Sequence, residues 1–388
     1  MTTGGTVGAE RRIAIEDLGH RFEWLHAGTT AYASMLELID AARCSVEFEF
    51  YTVKASVTAD RLGAALQRAA KRGVRVRVLL DAFGSDALPA QWLENLQSNN
   101  VQVRLFNPSW LLRWSFRNHR KLLACDGERA VVGGFNVAPE YEGDGIERGW
   151  RDLAVVIDGP LAGQLREGFE ALFGSASMLP DQWKGLARFL RRQSVKRDTL
   201  AVLVGGPGCS RAMLRQTLHT DLRTACRVDV IAAYFVPSRR IRRLLQQVAR
   251  HGSVRVLLSA HTDVAVARLA SQWSYPQLLS SGVQLWEYQP QVLHAKALVI
   301  DEIVYVGSAN LDTRSLQLNF ELMVRIPSAS LAAALRARID IDCARSQVVP
   351  KDWVQKRTLL QRLLHGCAHF LLTKVDPYVA RAKFRHLA

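Results

Sequence analysis

Two segments of the chain share one pattern: NHRKLLACD (118–126), followed by GGFN (133–136), and HAKALVID (294–301), followed by GSAN (307–310). In both, a His and a Lys stand two residues apart ahead of an apolar run that ends in Asp. Side chains two residues apart on a β-strand point to the same face. The pattern therefore predicts two strands, each of which presents an imidazole and an ammonium group to one side.

The surroundings of the two motifs also repeat, because a strand, a helix and a second strand are predicted ahead of each. They are predicted at 45–51, 59–71 and 74–80 in the first half, and at 227–234, 239–250 and 254–258 in the second. Such a repeat predicts an α/β fold of two pseudo-symmetric lobes. Each lobe is expected to be a mixed β-sheet flanked by helices, with the active site at the lobe interface.

The repeat divides the 388 residues into five predicted parts. They are an N-terminal segment (1–19), a first lobe (20–175), a basic amphipathic linker (176–198), a second lobe (199–345) and a basic amphipathic tail (346–388).

The chain is strongly basic, with 51 Lys and Arg against 36 Asp and Glu and a net charge of +15. The excess is concentrated in segments 104–121, 182–197 and 351–388, which also contain Trp, Phe and Leu. A positive charge predicts an anionic partner, and basic residues mixed with aromatic ones suit the headgroup region of an acidic bilayer. The alternative is a solvated basic face whose aromatic side chains belong to the core.

Several classes of protein are disfavoured. The six cysteines are scattered without a CxxC pair, which argues against a zinc module or a disulfide framework. The sequence has no apolar run long enough for a transmembrane helix and no signal peptide at its start. Any membrane contact is therefore predicted to be peripheral.

The two motifs together offer the groups that phosphodiester chemistry needs. One imidazole can attack phosphorus while the other protonates the leaving oxygen. Ammonium and amide groups neutralise the phosphate oxygens, and the glycines let the backbone approach an anion, so neither a metal nor a cofactor is predicted. The candidates are His119, Lys121 and Asn136 in the first motif, and His294, Lys296 and Asn310 in the second.

The Asp of each motif, Asp126 or Asp301, is counted with the catalytic candidates, although its parity along the strand favours a structural role. Only five residues separate Asp301 from Gly307, against six in the first motif. A shorter hairpin could displace Asn310.

The duplicated pattern resembles the HKD motifs of the phospholipase D superfamily over most of residues 28–345. Within the superfamily, FEFYTV (48–53), GWRDLAVVIDGP (149–160) and GSANLDTRSLQLNFEL (307–322) are most similar to bacterial cardiolipin synthases. The resemblance is to the B type, which lacks N-terminal transmembrane helices.

The resemblance implies roles for the site residues. His119 would be the nucleophile that forms a phosphohistidine, and His294 the general acid and base. The lysines and asparagines would hold the phosphate. Asp152 and Glu321 would each hydrogen-bond the histidine of the other half; a local salt bridge to Arg151 or Arg314 is the alternative for these acids. Three residues of the first basic segment are predicted to contact the membrane: Trp110, Trp114 and Phe116.

The implied activity is phosphatidyl transfer between two phosphatidylglycerol molecules, giving cardiolipin and glycerol at the cytoplasmic side of a bacterial membrane. Phospholipase D hydrolysis, or transfer to another alcohol, uses the same groups. A phospholipase D-family nuclease is compatible with the charge, but nucleic acid is not the expected partner because the aromatic residues cluster with Leu rather than as stacking platforms. A non-enzymatic binding scaffold would not need both histidines.

Overall fold

A computed structural model describes residues 14–107, 116–176, 198–206 and 213–385, and these residues form two lobes, each built on an eight-stranded mixed sheet. The α/β prediction is confirmed. All six predicted repeat elements are present, with bounds within two residues of those expected.

The first sheet has the strand order β1-β2-β8-β7-β6-β3-β4-β5. Its strands are β1 (Ala14–Asp17), β2 (His20–Leu25), β3 (Ser45–Phe50), β4 (Arg75–Asp81), β5 (Gln102–Phe106), β6 (Leu122–Cys125), β7 (Arg129–Gly133) and β8 (Ala154–Asp158).

The second sheet has the order β16-β12-β11-β10-β13-β14-β15-β9. Its strands are β9 (Ala201–Gly205), β10 (Arg227–Ala232), β11 (Ser253–Ser259), β12 (Gln284–Tyr288), β13 (Lys296–Ile300), β14 (Ile303–Gly307), β15 (Glu321–Pro327) and β16 (Ser346–Val348).

Seven strands of each sheet follow the same order, so the lobes are pseudo-symmetric. The run β2-β8-β7-β6-β3-β4-β5 corresponds to β9-β15-β14-β13-β10-β11-β12. In both runs only the last three strands are mutually parallel. Strands β1 and β16 are additions at opposite edges, and they correct two predicted boundaries: the first sheet begins before residue 20, and the second extends beyond residue 345.

Helices cover both sheets. They are α1 (Gly28–Ala41), α2 (Val57–Lys71), α3 (Ala90–Gln97), α4 (Leu161–Ser175), α5 (Met213–Arg223), α6 (Arg239–His251), α7 (Ala265–Gln272), α8 (Tyr275–Leu279), α9 (Thr313–Gln317), α10 (Ala329–Ala344), α11 (Leu359–Phe370) and α12 (Asp376–Arg385). Short 3₁₀ turns occur at Pro139–Tyr141 and Lys351–Val354, and a π-helical turn at Leu371–Val375 joins α11 to α12.

Local sequence explains the two repeated helices, α2 and α6. Each begins after a serine, Ser56 or Ser238, whose hydroxyl accepts a hydrogen bond from a backbone N–H of the first turn. Such a cap satisfies a donor that the helix leaves unpaired. Gly73 follows α2 with a φ of 87°, a left-handed conformation that ends the helix at low cost.

One hydrophobic core is shared by the lobes. It joins side chains of β7 and β8, such as Val132 and Val155, to those of β14 and β15, such as Val306 and Val324. Helices α4 and α10 pack into the same core, whereas α1 and α2 pack on the outer face of the first sheet. The interface is therefore continuous apolar packing, which fixes the two lobes relative to each other.

The linker predicted at 176–198 lies almost wholly outside the described residues. The tail is described as far as residue 385 and contains β16, the 3₁₀ turn at Lys351–Val354, α11, the π-helical turn and α12. Among the described residues, no helix combines the length and the apolar character needed to span a bilayer.

Candidate active site

Strand directions bring each motif, and an acid from the same lobe, to one edge of its sheet. This edge is formed by the ends of the strands. Strands β6 and β8 both run antiparallel to β7, so His119, ahead of β6, and Asp152, ahead of β8, lie at the same edge. In the second lobe His294 precedes β13 and Glu321 opens β15, at the corresponding edge.

The two edges are joined by reciprocal backbone hydrogen bonds. The N–H of His119 donates to the carbonyl of Phe320 at 2.9 Å, and the N–H of His294 donates to the carbonyl of Arg151 at 2.7 Å. Each histidine segment therefore pairs with the segment of the other lobe that bears the carboxylate, and the geometry of the site depends on both halves of the chain.

The side chains pair across the interface in the same crossed manner. His119 Nδ1 lies 3.1 Å from Glu321 Oε2, and His294 Nδ1 lies 2.6 Å from Asp152 Oδ2. Both carboxylates are almost completely buried. A carboxylate on Nδ1 fixes the proton there and leaves Nε2 as the reactive nitrogen.

Among the described residues, the two arginines of the alternative prediction form ion pairs with other acids. Arg151 pairs with Asp342, and Arg314 pairs with Asp376 of the tail. Gly134 has a different role from the predicted one, because a Cβ at this position would lie 2.0 Å from Asp152 Oδ1. This glycine makes room for the carboxylate of Asp152 rather than for a substrate anion.

Alternation within the first motif orients its polar side chains. Asn118 and Arg120 point to one side, where Asn118 Nδ2 donates to Glu49 Oε1 at 2.8 Å and Arg120 forms a buried ion pair with Glu49 at 3.2 Å. His119 and Lys121 point to the opposite side, toward the second lobe, as the strand pattern predicts.

A cavity of about 370 Å³ lies between the lobes and is lined by both histidines. Other residues that line it include Tyr51, Thr52, Arg117, Asn136, Tyr141, Trp150, Tyr234, Asn310, Asp312 and Arg314. Lys121 and Lys296 lie behind the histidines rather than on the cavity wall. Lys121 Nζ donates to the carbonyl of His119 at 2.6 Å, and Lys296 Nζ is 2.9 Å from His294 Nε2.

The titration of the site is dominated by burial. Burial lowers the pKa of His119 to about 4, and burial together with Lys296 lowers that of His294 to about 4. Burial, with Lys296 as a second cause, lowers the pKa of Lys121 to about 7, and burial lowers that of Lys296 to about 8. At neutral pH the imidazoles are therefore uncharged, and the lysines titrate near neutral pH.

The carboxylates remain charged. Burial acts to raise the pKa of Asp152, but Lys296 and His294 outweigh it and hold the pKa below its usual range. Burial also acts to raise the pKa of Glu321, but the contact with His119 outweighs it, so the pKa of Glu321 lies below its usual range. Each histidine thus has an anion at Nδ1 that can stabilise an imidazolium.

The asparagines occupy equivalent positions in spite of the shorter second hairpin. Asn136 Oδ1 accepts from the N–H of Thr52 at 3.2 Å, and Asn310 Oδ1 accepts from that of Tyr234 at 3.3 Å. The missing residue is absorbed in the turn, which has three residues after Cys125 but two after Ile300. Asn310 is therefore not displaced.

Three aromatic residues around the histidines had no predicted role. The Tyr51 ring lies 4.9 Å from that of His119, and Tyr141 and Trp150 lie 5.3 and 5.4 Å from that of His294. Tyr141 Oη accepts from Asn136 Nδ2 at 2.8 Å and lies 3.2 Å from His294 Nδ1. Trp150 and Tyr51 stand inside segments that carry the family resemblance, whereas Tyr141 corresponds to no aromatic residue in the second motif.

Asp126 and Asp301 are wrongly placed among the catalytic residues. Each follows its strand at the edge opposite the histidines and accepts backbone N–H groups there. Asp126 binds the N–H groups of Arg43, Cys44 and Ser45, and Asp301 those of residues 226 and 227. Both adopt positive φ, and both fix a hairpin turn to the start of the neighbouring strand.

We expect Asp126→Ala to lower the free energy of unfolding by about 2 kcal/mol, because it removes charge-assisted hydrogen bonds to three amides. Enzymatic activity per folded molecule should stay near that of the unmodified protein. Chemical denaturation and initial rates test this, with Asp126→Asn as the control that keeps an acceptor and tolerates positive φ. Loss of activity with unchanged stability would restore the catalytic role.

The predicted membrane contacts have different outcomes. Phe116 is only 2% exposed and belongs to the core shared by the lobes, so its assignment as a membrane contact is wrong. Trp110 and Trp114 lie outside the described residues.

The family model described as "Cardiolipin synthase, PLD-like domain" matches residues 35–173 and 222–342, one segment in each lobe. Cardiolipin synthase A of Pseudomonas aeruginosa is 33% identical in an alignment 353 residues long that covers 88% of this chain and 71% of that protein. Cardiolipin synthase 1 of Bacillus anthracis is 28% identical in an alignment 356 residues long that covers 87% of this chain and 69% of that protein.

A solved structure shows the same fold. Phosphatidylserine synthase of Haemophilus influenzae Rd KW20 superposes with a TM-score of 0.72 at 16% identity, over 95% of this chain and 96% of that one.

The duplicated fold and its shared cavity define a two-lobed, phospholipase D-like enzyme. The chain belongs to the cardiolipin synthase family of the phospholipase D superfamily, and so to the phosphatidyltransferases. The relatives named above are called A and 1, so the B type stays a prediction.

Proposed function

We propose that this protein synthesises cardiolipin by transferring the phosphatidyl group of one phosphatidylglycerol to another, with release of glycerol. The observation that carries the proposal is the pair of crossed contacts, His119 with Glu321 and His294 with Asp152, on one cavity. Family membership supports the lipid substrate, because the relatives are named cardiolipin synthases.

In the first step, Nε2 of His119 attacks phosphorus and the bond from phosphorus to the glycerol oxygen breaks. The leaving oxygen takes a proton from His294, and the phosphatidyl group remains on His119. Of the two imidazoles, that of His119 is the more exposed, with 12% of its side chain accessible against 6% for His294. This favours His119 as the nucleophile.

In the second step, the hydroxyl of the second phosphatidylglycerol gives its proton to His294 and attacks phosphorus. The bond from phosphorus to His119 breaks, and cardiolipin leaves. The phosphate charge of a bound substrate offsets Lys121 and Lys296, which raises the pKa of His294 and prepares it to act as an acid. Asn310, whose Oδ1 is held by Tyr234, can direct its amide N–H groups at a phosphate oxygen.

Location at the cytoplasmic face of the membrane is part of this proposal. The tail exposes a series of apolar side chains: Leu359, Leu360, Leu363, Leu364, Phe370, Leu371 and Val379. Together with the basic residues of the tail, these fit the interface of an anionic bilayer.

Radiolabelled phosphatidylglycerol vesicles with EDTA test the proposal, with products resolved by thin-layer chromatography. We expect labelled cardiolipin and glycerol, lost in His119→Ala and retained in the matched control His251→Ala, which changes an exposed histidine. Phosphatidic acid as the sole product would show that the enzyme hydrolyses phosphatidylglycerol and does not transfer its phosphatidyl group. Cleavage of DNA without any lipid product would show that the substrate is a nucleic acid and not a lipid.

The lysines give the reaction a predicted pH dependence. The rate should rise as pH increases through about 4, where His119 becomes neutral, and fall as pH increases through about 7 to 8, where Lys121 and Lys296 lose their charge. A profile of kcat/KM measures these groups in the free enzyme.

Arginine substitution distinguishes the lysines from other groups, since arginine keeps its charge to much higher pH. We expect Lys121→Arg or Lys296→Arg to move the alkaline limb upward in any variant that remains active. An alkaline limb that neither substitution moves would contradict the assignment.

A further inference from the structure

A second cavity, of about 890 Å³, lies between the amino end of α6 and the tail. Its lining includes Ser238, Arg239 and Arg242 from the start of α6, and His369 and Lys374 from the tail. None of its lining residues belongs to the catalytic cavity.

Arg242 is the unusual residue of this cavity. It is only 8% exposed, and its Nη1 is buried without a hydrogen-bond partner. In the described part of the chain, its side chain has no ion pair; its contact is with the Trp273 ring, whose centroid is 5.1 Å from Cζ. A buried guanidinium without an anion is unfavourable, and its presence on a cavity wall indicates that an anion belongs there.

The surroundings of Arg242 add positive charge. Arg239 and Lys374 are exposed on the same cavity, and the amino end of α6 contributes the partial positive charge of a helix terminus. Among the described residues of the lining, none is Asp or Glu. The pKa of Arg242 is lowered by burial and then by Arg239 and Arg243, which is consistent with a positive charge that the protein itself does not balance.

The rim of the cavity points to a lipid as the source of the anion. Phe370 and Tyr378 line the cavity and are 61% and 74% exposed. Phe370 also borders a shallow apolar surface formed with Leu363, Leu364 and Leu371. A phosphate in the cavity would thus lie next to an apolar surface suited to acyl chains.

We propose that this cavity binds the phosphate of an anionic lipid headgroup through Arg242, Arg239 and Lys374, apart from the lipids that react at the histidines. The inference rests on the proposed function only in assuming that the enzyme works at an anionic bilayer. The bound headgroup fixes the tail to the membrane surface while the catalytic cavity exchanges its substrates.

Vesicle binding without turnover tests the site. In a His119→Ala background, sedimentation with phosphatidylcholine vesicles is compared with and without phosphatidylglycerol. We expect Arg242→Gln to weaken binding to the phosphatidylglycerol vesicles by roughly tenfold. Arg243→Gln, which removes one charge from an exposed neighbour on the same helix, should change it less than about twofold. Equal binding by the two variants would overturn the proposal.

Thermal unfolding identifies the source of the phosphate. Short-chain phosphatidylglycerol should raise the Tm of the unmodified protein and of Arg243→Gln more than that of Arg242→Gln. Inorganic phosphate at the same concentration should have a smaller effect. An equal effect of inorganic phosphate would overturn the lipid assignment in favour of a free-phosphate site.

Folding of the variant is controlled in two ways. Without ligand, Arg242→Gln should be at least as stable as the unmodified protein, since it removes an unpaired buried charge. Lys374→Gln, at an exposed position, should also weaken vesicle binding, and unchanged binding in that variant would count against the site. Synthesis of cardiolipin with Arg242-independent binding would refute this inference alone, whereas Arg242-dependent binding without synthesis would refute the proposed function alone.

Discussion

We expect His119→Ala to lower the rate of phosphatidyl transfer by about 10⁴-fold or more, since it removes the group that bonds to phosphorus. His294→Ala should cause a similar loss with phosphatidylglycerol, because a glycerol alkoxide leaves poorly without a proton. Natural substrate alone therefore does not distinguish the two roles.

A phosphatidyl ester of p-nitrophenol separates the two histidines, because nitrophenolate leaves without a proton. In His294→Ala, His119 can still form the covalent intermediate, so a rapid release of about one nitrophenolate per enzyme should be followed by very slow turnover. In His119→Ala no such burst is expected. Stopped-flow absorbance measures both phases.

The exposed substitution His251→Ala serves as the control for both variants and should retain the burst and the turnover. A burst in His119→Ala that is absent in His294→Ala would assign the nucleophile to the second lobe. The crossed geometry would remain, but the two histidines would exchange their roles.

The repeat made the fold predictable because it contains two independent signals. One signal is the alternation in segments such as 74–80 and 254–258, which is typical of strands. The other is the helical pattern that precedes each of these segments. The same alternation separated His119 and Lys121 from Asn118 and Arg120, and it gave Asp126 its position away from the site. On this last residue the strand pattern was a better guide than membership of the motif.

Contacts between the lobes were less accessible to sequence reasoning. That Asp152 and Glu321 reach the opposite histidine followed from resemblance, because no local pattern specifies which acid crosses an interface. Tyr141 and Phe116 show the same limit. An aromatic residue beside charged residues can equally face lipid, line a cavity or fill a core, and only the packing of both sheets decides which.

The crossed carboxylates give the second large expected effect. Glu321→Gln and Asp152→Asn should each lower transfer by about 10² to 10⁴-fold, since an amide can still accept from Nδ1 but no longer stabilises an imidazolium. Stability should fall little or even rise, because each substitution removes a buried charge. Activity loss without unfolding distinguishes positioning of the histidine from a structural role.

The two substitutions should act on different steps, because each carboxylate serves the histidine of the other lobe. With the nitrophenyl ester, Glu321→Gln should slow the burst, which depends on His119, whereas Asp152→Asn should leave the burst fast and slow the turnover that depends on His294. The pH profile of Glu321→Gln should also change in a definite direction. The Glu321 carboxylate raises the pKa of His119, so its loss lowers that pKa, and the acid limb of the profile should move to lower pH. If both variants slowed the same phase, the carboxylates would serve the site as a whole, and the reciprocal contacts between the lobes would have no separate catalytic meaning.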